Sequence, residues 1–98
     1  MAFALKFTQR AESDLREIEE DAGLLKRFKS VRTALAYLEA NPRHPGLSTH
    51  EYSAFSGPSG EEIFEAYSEN RTPAAYRIFW FHGPGKSEIT IVAITSHP

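Results

Sequence analysis

Cysteine is absent from this 98-residue sequence, so neither a disulfide framework nor a thiolate metal site holds it together. Long apolar runs are missing too: none approaches the roughly 20 residues that a membrane-spanning helix requires. The opening Met1-Ala2-Phe3-Ala4-Leu5-Lys6 meets a charge too early for a secretory leader. A cytoplasmic protein with no membrane partner is therefore expected. An excess of basic charge is also lacking. The net charge is −2, whereas domains that bind nucleic acid without selectivity are usually distinctly basic; any nucleic-acid contact has to come from a local patch. What is present is ordinary globular material, 41% hydrophobic and 24% charged, which argues against disorder. A chain of this size buries about 60–65% of its unfolded surface, enough for one core and hence one domain.

The first half follows a helical period after a short strand. Phe3, Leu5 and Phe7 alternate with Ala4 and Lys6 as in a half-buried strand. Thr8 then offers a hydroxyl where a helix should start. From Gln9 to about Asp21, the residues Ala11, Leu15, Ile18 and Ala22 recur at helical spacing, with Gly23 as a stop. A second helix is expected over Leu24 to Ala40, with a stripe of Leu24, Phe28, Val31, Leu35 and Leu38. Asn41-Pro42 ends it, because proline lacks the amide hydrogen and restricts the residue before it. So short a link at Gly23 implies an antiparallel helical hairpin.

The second half changes period. Pro42 to Ser48 reads as a loop with a turn at Pro45-Gly46. Four strands follow, Thr49 to Phe55, Glu62 to Ser68, Ala75 to His82 and Glu88 to Thr95. Turn chemistry separates them at Gly57-Pro58-Ser59-Gly60, Asn70-Arg71-Thr72-Pro73 and Gly83-Pro84-Gly85. The order β-α-α-β-β-β-β is an α+β architecture, an antiparallel sheet with a two-helix hairpin on one face. The first strand must join an edge or pair internally.

Two features of the faces stand out. Tyr76, Ile78 and Trp80 alternate with Arg77, Phe79 and Phe81, and Ile89, Ile91 and Ala93 stand opposite Val92 and Ile94. Two strands are thus apolar on both faces, while one helical hairpin covers only one. A curled sheet, a second copy of the chain or a partner segment has to cover the other. Charge is also split: Glu12, Asp14, Glu17, Glu19, Glu20 and Asp21 crowd the first helix, whereas Lys26, Arg27, Lys29 and Arg32 lie on the second. Cross-helix ion pairs explain this, or the basic side, Lys29 and Arg32 included, meets a nucleic-acid backbone.

Several segments together resemble the RelE/ParE toxins, proteins of two-gene toxin–antitoxin and plasmid-stabilisation systems. These are Phe3-Ala4-Leu5-Lys6-Phe7-Thr8 with Ala11-Glu12-Ser13-Asp14-Leu15, then Ala34-Leu35-Ala36-Tyr37-Leu38 with Asn41-Pro42, then Tyr76-Arg77-Ile78-Phe79-Trp80, and Ile91 to Pro98. The resemblance implies a fold shared by two branches: nucleases that cut messenger RNA on the ribosome without a metal or other cofactor, and inhibitors of DNA gyrase. It also implies an antitoxin segment lying across the toxin, which would cover the second apolar face. A homodimer is a further candidate.

Metal-free RNA cleavage needs a base for the 2′-hydroxyl, an acid for the leaving oxygen and positive charge on the phosphorane. Arg77 matches the family's central arginine, and its planar fork suits phosphate oxygens; the plain alternative is an ion pair with Glu65 or Glu51. His97 lies where similar nucleases carry a terminal histidine or arginine, and histidine serves as acid or base near neutral pH. His50 opens the second strand and is placed to reach the same face, whereas His44 and His82 sit at turns. No two histidines have ligand spacing on one element, which argues against a metal site. Glu62 and Glu65 stand where ribosome-dependent relatives carry lysines. Glu65 is then either a general base or a cross-strand partner of Arg77. Three functions follow: an endoribonuclease carried by Arg77 and His97, a gyrase inhibitor of the ParE type, or a toxin fold acting only as a binding partner. The first two arrest growth on expression and the third does not.

Overall fold

The computed structural model describes residues 2–69 and 75–96. Its elements are β1 (Ala4–Phe7), α1 (Gln9–Glu20), α2 (Leu25–Ala40), β2 (His50–Ser56), β3 (Glu62–Tyr67), β4 (Tyr76–His82) and β5 (Glu88–Ser96), with 3-10 turns at Ala22–Leu24 and Pro45–Leu47. The expected turn at Asn70-Arg71-Thr72-Pro73 lies outside the described residues. Among them, no helix is long and apolar enough to cross a membrane.

Thr8 caps α1 as its position suggests. Its backbone is extended, and its hydroxyl oxygen accepts the Ala11 amide at 3.0 Å. The helix ends earlier than the Gly23 stop implied. Asp21 leaves the helix and caps the next turn, its carboxylate accepting the Gly23 amide at 2.9 Å, so Ala22 falls off the apolar stripe and is exposed. On α2, Val31, Ala34, Leu35 and Leu38 are buried.

The strands lie in the order β1-β5-β4-β3-β2. Pairs β2–β3, β3–β4 and β4–β5 are antiparallel, while β1 runs parallel to β5, from Ala4 opposite Glu88 to Phe7 opposite Ile91. The sheet is therefore mixed rather than wholly antiparallel. Chain direction explains this. The two helices run out and back, which returns α2 to the start of β1, where the Phe3 amide donates to the Glu39 carbonyl at 2.7 Å. The segment 41–49 then carries the chain to His50 opposite Glu65, and β2 runs against β1. Three further reversals bring β5 round to the direction of β1.

One face of the sheet packs on the helices. Ala66, Ile78, Trp80, Ile89, Ile91 and Ile94 join Ala11, Ile18, Val31, Leu35 and Leu38 in the main core. Leu47, from the segment expected to be a plain loop, is fully buried there. The other face carries a smaller cluster of Ile63, Phe79, Phe81 and Ala93, with Tyr52 and Val92 packed against it. Tyr52 and Phe55 of β2 reach over Phe79, with ring centroids 4.8 and 5.9 Å from it. A curled sheet thus covers much of the second apolar face from within the chain.

Alternation along β5 does not hold throughout. Between Phe79–Ala93 and Trp80–Ile91 the register shifts, which leaves Val92 as an extra residue. A bulge of this kind reverses the facing of everything beyond it, so Ala93 joins the outer cluster and Ile94 the helical core, opposite to strict alternation. The helix side completes the interrupted ladder. The Thr8 hydroxyl donates to the Val92 carbonyl at 2.8 Å, and the Asp14 carboxylate accepts the Ile94 amide at 2.9 Å, which satisfies backbone groups that the bulge would otherwise strand.

Candidate active site

On the sheet face turned away from the helices, β3 and β4 place Glu65, Tyr67 and Arg77 together. The period of two along β3 puts Glu65 and Tyr67 on the same side as Ile63. Arg77 stands directly across from Tyr67, Phe79 across from Glu65, and His50 of β2 across from Glu65 on its other flank. Arg77 is therefore a diagonal neighbour of Glu65, within reach of a long side chain.

Glu65 is the hub. It is only 3% exposed, and both of its oxygens are engaged. Oε2 accepts from Arg77 Nη1 at 2.7 Å, and Oε1 lies 2.6 Å from His50 Nε2. The Tyr67 hydroxyl also donates to this carboxylate. Burial pushes the Tyr67 phenol above its ordinary pKa, and the neighbouring Glu65 charge and hydrogen bond add to the rise, while Arg77 opposes it. The Arg77 guanidinium lies 5.0 Å over the Phe79 ring, and its Nε–H is buried with no hydrogen-bond partner among the described residues.

His50 is the accessible member, its side chain half exposed. It meets the Tyr67 ring edge-on at 5.6 Å. Its second ring nitrogen, Nδ1, lies 3.2 Å from the Ser48 carbonyl. Each nitrogen thus faces an acceptor oxygen. The arrangement offers an anion a guanidinium, a phenol and an imidazole grouped around a carboxylate that balances their charge.

The residues singled out from the sequence divide clearly. Arg77, Glu65 and His50 come together, and Arg77 pairs with Glu65 rather than Glu51. Lys29 and Arg32 do not join them. Their helix packs against the opposite sheet face through Val31, Ala34, Leu35 and Leu38, so the sheet stands between them and Arg77. Arg32 instead lies over the Phe28 ring at 5.7 Å, and Arg27 on the same helix pairs with Glu69 at 2.8 Å. His97 lies outside the described residues. Tyr67 escaped the sequence reading; its one signal was a tyrosine two residues from Glu65, hence on the same strand face.

No family model matches the sequence, and no curated protein does. Solved structures do. The YoeB/ParE toxin from Agrobacterium tumefaciens superposes with a TM-score of 0.69 at 7% identity, over 97% of this chain and 99% of that one. A chain of the archaeal RelE–RelB complex from Pyrococcus horikoshii OT3 gives 0.66 at 12% identity, over 98% and 96%. A chain of the intact E. coli RelBE toxin–antitoxin complex gives 0.63 at 14%, over 99% of both. The fold is that of the RelE/ParE toxins. Both chains are covered almost end to end in each case, so the RelE/ParE fold accounts for the whole architecture and not for a shared fragment. Identities this low carry the fold alone, and the chemistry has to be argued from the side chains of this chain.

Proposed function

We propose that this protein is the toxin of a type II toxin–antitoxin pair and acts as a metal-independent endoribonuclease on messenger RNA at the ribosome. The observation that carries this reading is the polar cluster of Arg77, Glu65, His50 and Tyr67 set beside the apolar cluster of the outer sheet face. Burying a carboxylate and part of a guanidinium adds little net stability compared with an apolar filling, so such a cluster away from the main core points to chemistry.

In the reaction, the 2′-oxygen of a nucleotide bonds to the adjacent phosphorus as the bond from phosphorus to the 5′-oxygen breaks, leaving a cyclic phosphate and a 5′-hydroxyl. Arg77 carries the negative charge that develops on the phosphorane, its orphaned Nε–H gaining an oxygen acceptor. His50, exposed and held by Glu65 at Nε2, donates a proton to the departing oxygen from Nδ1, which gives up its contact with the Ser48 carbonyl to do so. Glu65 is buried with both oxygens bonded, so it positions His50 and Arg77 rather than acting as a free base. His97 supplies the base: the strand that precedes it ends with Ser96 opposite Tyr76, one residue before Arg77. The antitoxin segment seats on what remains open of the outer apolar face, where Phe55 is 44% exposed and Tyr52 and Val92 are half buried.

A second reading rests on a specific observation. Arg77 is already neutralised by Glu65, and the chain carries net charge −2, both of which favour a gyrase-directed inhibitor that works by surface contact. Controlled expression with growth measurement, cleavage mapping on translating ribosomes and a supercoiling assay divide these readings. The nuclease reading requires message cleavage that is lost in Arg77→Ala and in His50→Ala while the fold persists. Growth arrest with intact messages and altered supercoiling would replace it with the second reading. Unaffected growth would leave only a binding partner.

A further inference from the structure

On the opposite side of the sheet from Arg77, a cleft of about 640 Å³ opens between the strands and the segment that follows α2. That volume lies within the roughly 300–1,000 Å³ typical of small-molecule sites. Its walls are aromatic: Phe3, Phe64, Trp80 and His82. Phe64 stacks on Trp80 with centroids 4.8 Å apart, and His82 meets Trp80 edge-on at 4.9 Å and lies 6.1 Å from Phe3. Such a box suits a flat ring, which stacks on one ring and meets others by their edges.

Two polar observations narrow the ligand. Among the described residues, Trp80 Nε1 and Thr49 Oγ1 are buried and have no hydrogen-bond partner, and both residues line this cleft. Each is the single polar atom of its side chain, and the indole N–H only donates. Unpaired buried groups of this kind are uncommon and unfavourable, and a ring carrying acceptor atoms on its edge satisfies them. Both atoms are closed to solvent here, so a ligand reaches them by displacing rim side chains such as the exposed His82. Charge supplies the second constraint. Among the described residues, the cleft is lined by the exposed Arg43 and by two histidines, but by no aspartate or glutamate, in a chain that has 13 of these acids. An anionic group at the rim therefore meets a guanidinium and no opposing carboxylate.

We infer that this cleft binds a nucleotide, its base among Phe64, Trp80 and His82 with acceptors towards Trp80 Nε1 and Thr49 Oγ1, and its phosphate at Arg43. The site is separate from the Arg77 cluster and does not depend on the function proposed for it. The nucleotide comes either free or as one unit of an RNA strand, and both sources present the same chemistry.

Trp80 is the chain's only tryptophan, so its fluorescence reports directly on the cleft. The full chain is titrated with AMP, GMP, CMP and UMP, with a 2′-O-methyl trinucleotide that cannot be cleaved, and with inorganic phosphate, exciting beyond nucleotide absorption. A saturable change with at least one mononucleotide or with the trinucleotide is expected. Response to mononucleotides identifies a free nucleotide as the source, and response to the trinucleotide alone identifies a strand. Arg43→Ala weakens binding about tenfold, the usual effect of losing one charge-assisted contact. Thr49→Val weakens it about fivefold yet raises the thermal midpoint of the unliganded chain, because an apolar isostere replaces an unpaired hydroxyl. These opposite signs separate a ligand contact from a structural one. The inference is overturned if no nucleotide saturates the signal, if phosphate alone acts as well, or if both variants bind like the parent.

Discussion

Replacing Glu65 by alanine tests whether the polar cluster is an organised unit. Glu65 and Arg77 retain only 4% and 18% of their side-chain exposure, and their charged atoms are 2.7 Å apart. Removing one partner of a buried pair costs about 3–5 kcal/mol, because the other charge is left uncompensated. Water that reaches the open part of Arg77 returns some of this, so about 2–4 kcal/mol is expected. A domain of this length has a total stability of roughly 5–15 kcal/mol, so the loss is a large fraction of it and lowers the thermal midpoint by about 10–25 °C. Arg77→Ala should cost less, about 1–2 kcal/mol, because His50 and Tyr67 still satisfy the carboxylate. The double variant removes both charges, and its loss should fall short of the sum of the singles by about 1–2 kcal/mol. Urea unfolding followed by the fluorescence of Trp80, which is 2% exposed, gives all three values. A loss below about 1 kcal/mol for Glu65→Ala, or strict additivity, would refute the reasoning.

Asp14→Ala strips the acceptor from the Ile94 amide at the β5 bulge and should cost about 1–3 kcal/mol by urea unfolding, whereas Asp14→Asn keeps an acceptor oxygen and loses less. Thr8→Ala removes both the α1 cap and the bond to Val92, for about 1–2 kcal/mol in the same assay, with Thr8→Ser restoring most of it. Because the Tyr67 phenol is raised in the folded state, its stabilising effect is complete below the unfolded value of about 10 and lost as pH rises through the folded value. Tyr67→Phe should therefore flatten the alkaline fall in stability, and tyrosinate absorbance should show one late-titrating group fewer. Leu38→Ala empties a fully buried site in the helical core and should cost about 2–5 kcal/mol by urea unfolding.

Much of the architecture is written locally. The change from helical to alternating period at Asn41-Pro42, the hydroxyl of Thr8 ahead of an apolar stripe and the turn residues between strands each act within a few residues, through sterics and nearby hydrogen bonds. The same parity makes Arg77 share a face with Phe79, and Glu65 with Tyr67. The candidate site was therefore legible as a set of strand faces, but not as a network. That Glu65 gathers Arg77, His50 and Tyr67 at once depends on the pairing of β2 with β3 and of β3 with β4, and a single-residue slip in either pairing would disperse them.

Tertiary structure alone decided the rest. The parallel pairing of β1 with β5 follows from the path of the whole connection between β1 and β2, the bulge at Val92 from register between distant segments, and the burial of Leu47 from the packing of the core. Sequence by itself determined which residues form helices and strands and which side chains share a face, because those preferences are set by neighbours along the chain. It left open which faces meet, since that is settled by the combined packing of segments far apart in sequence.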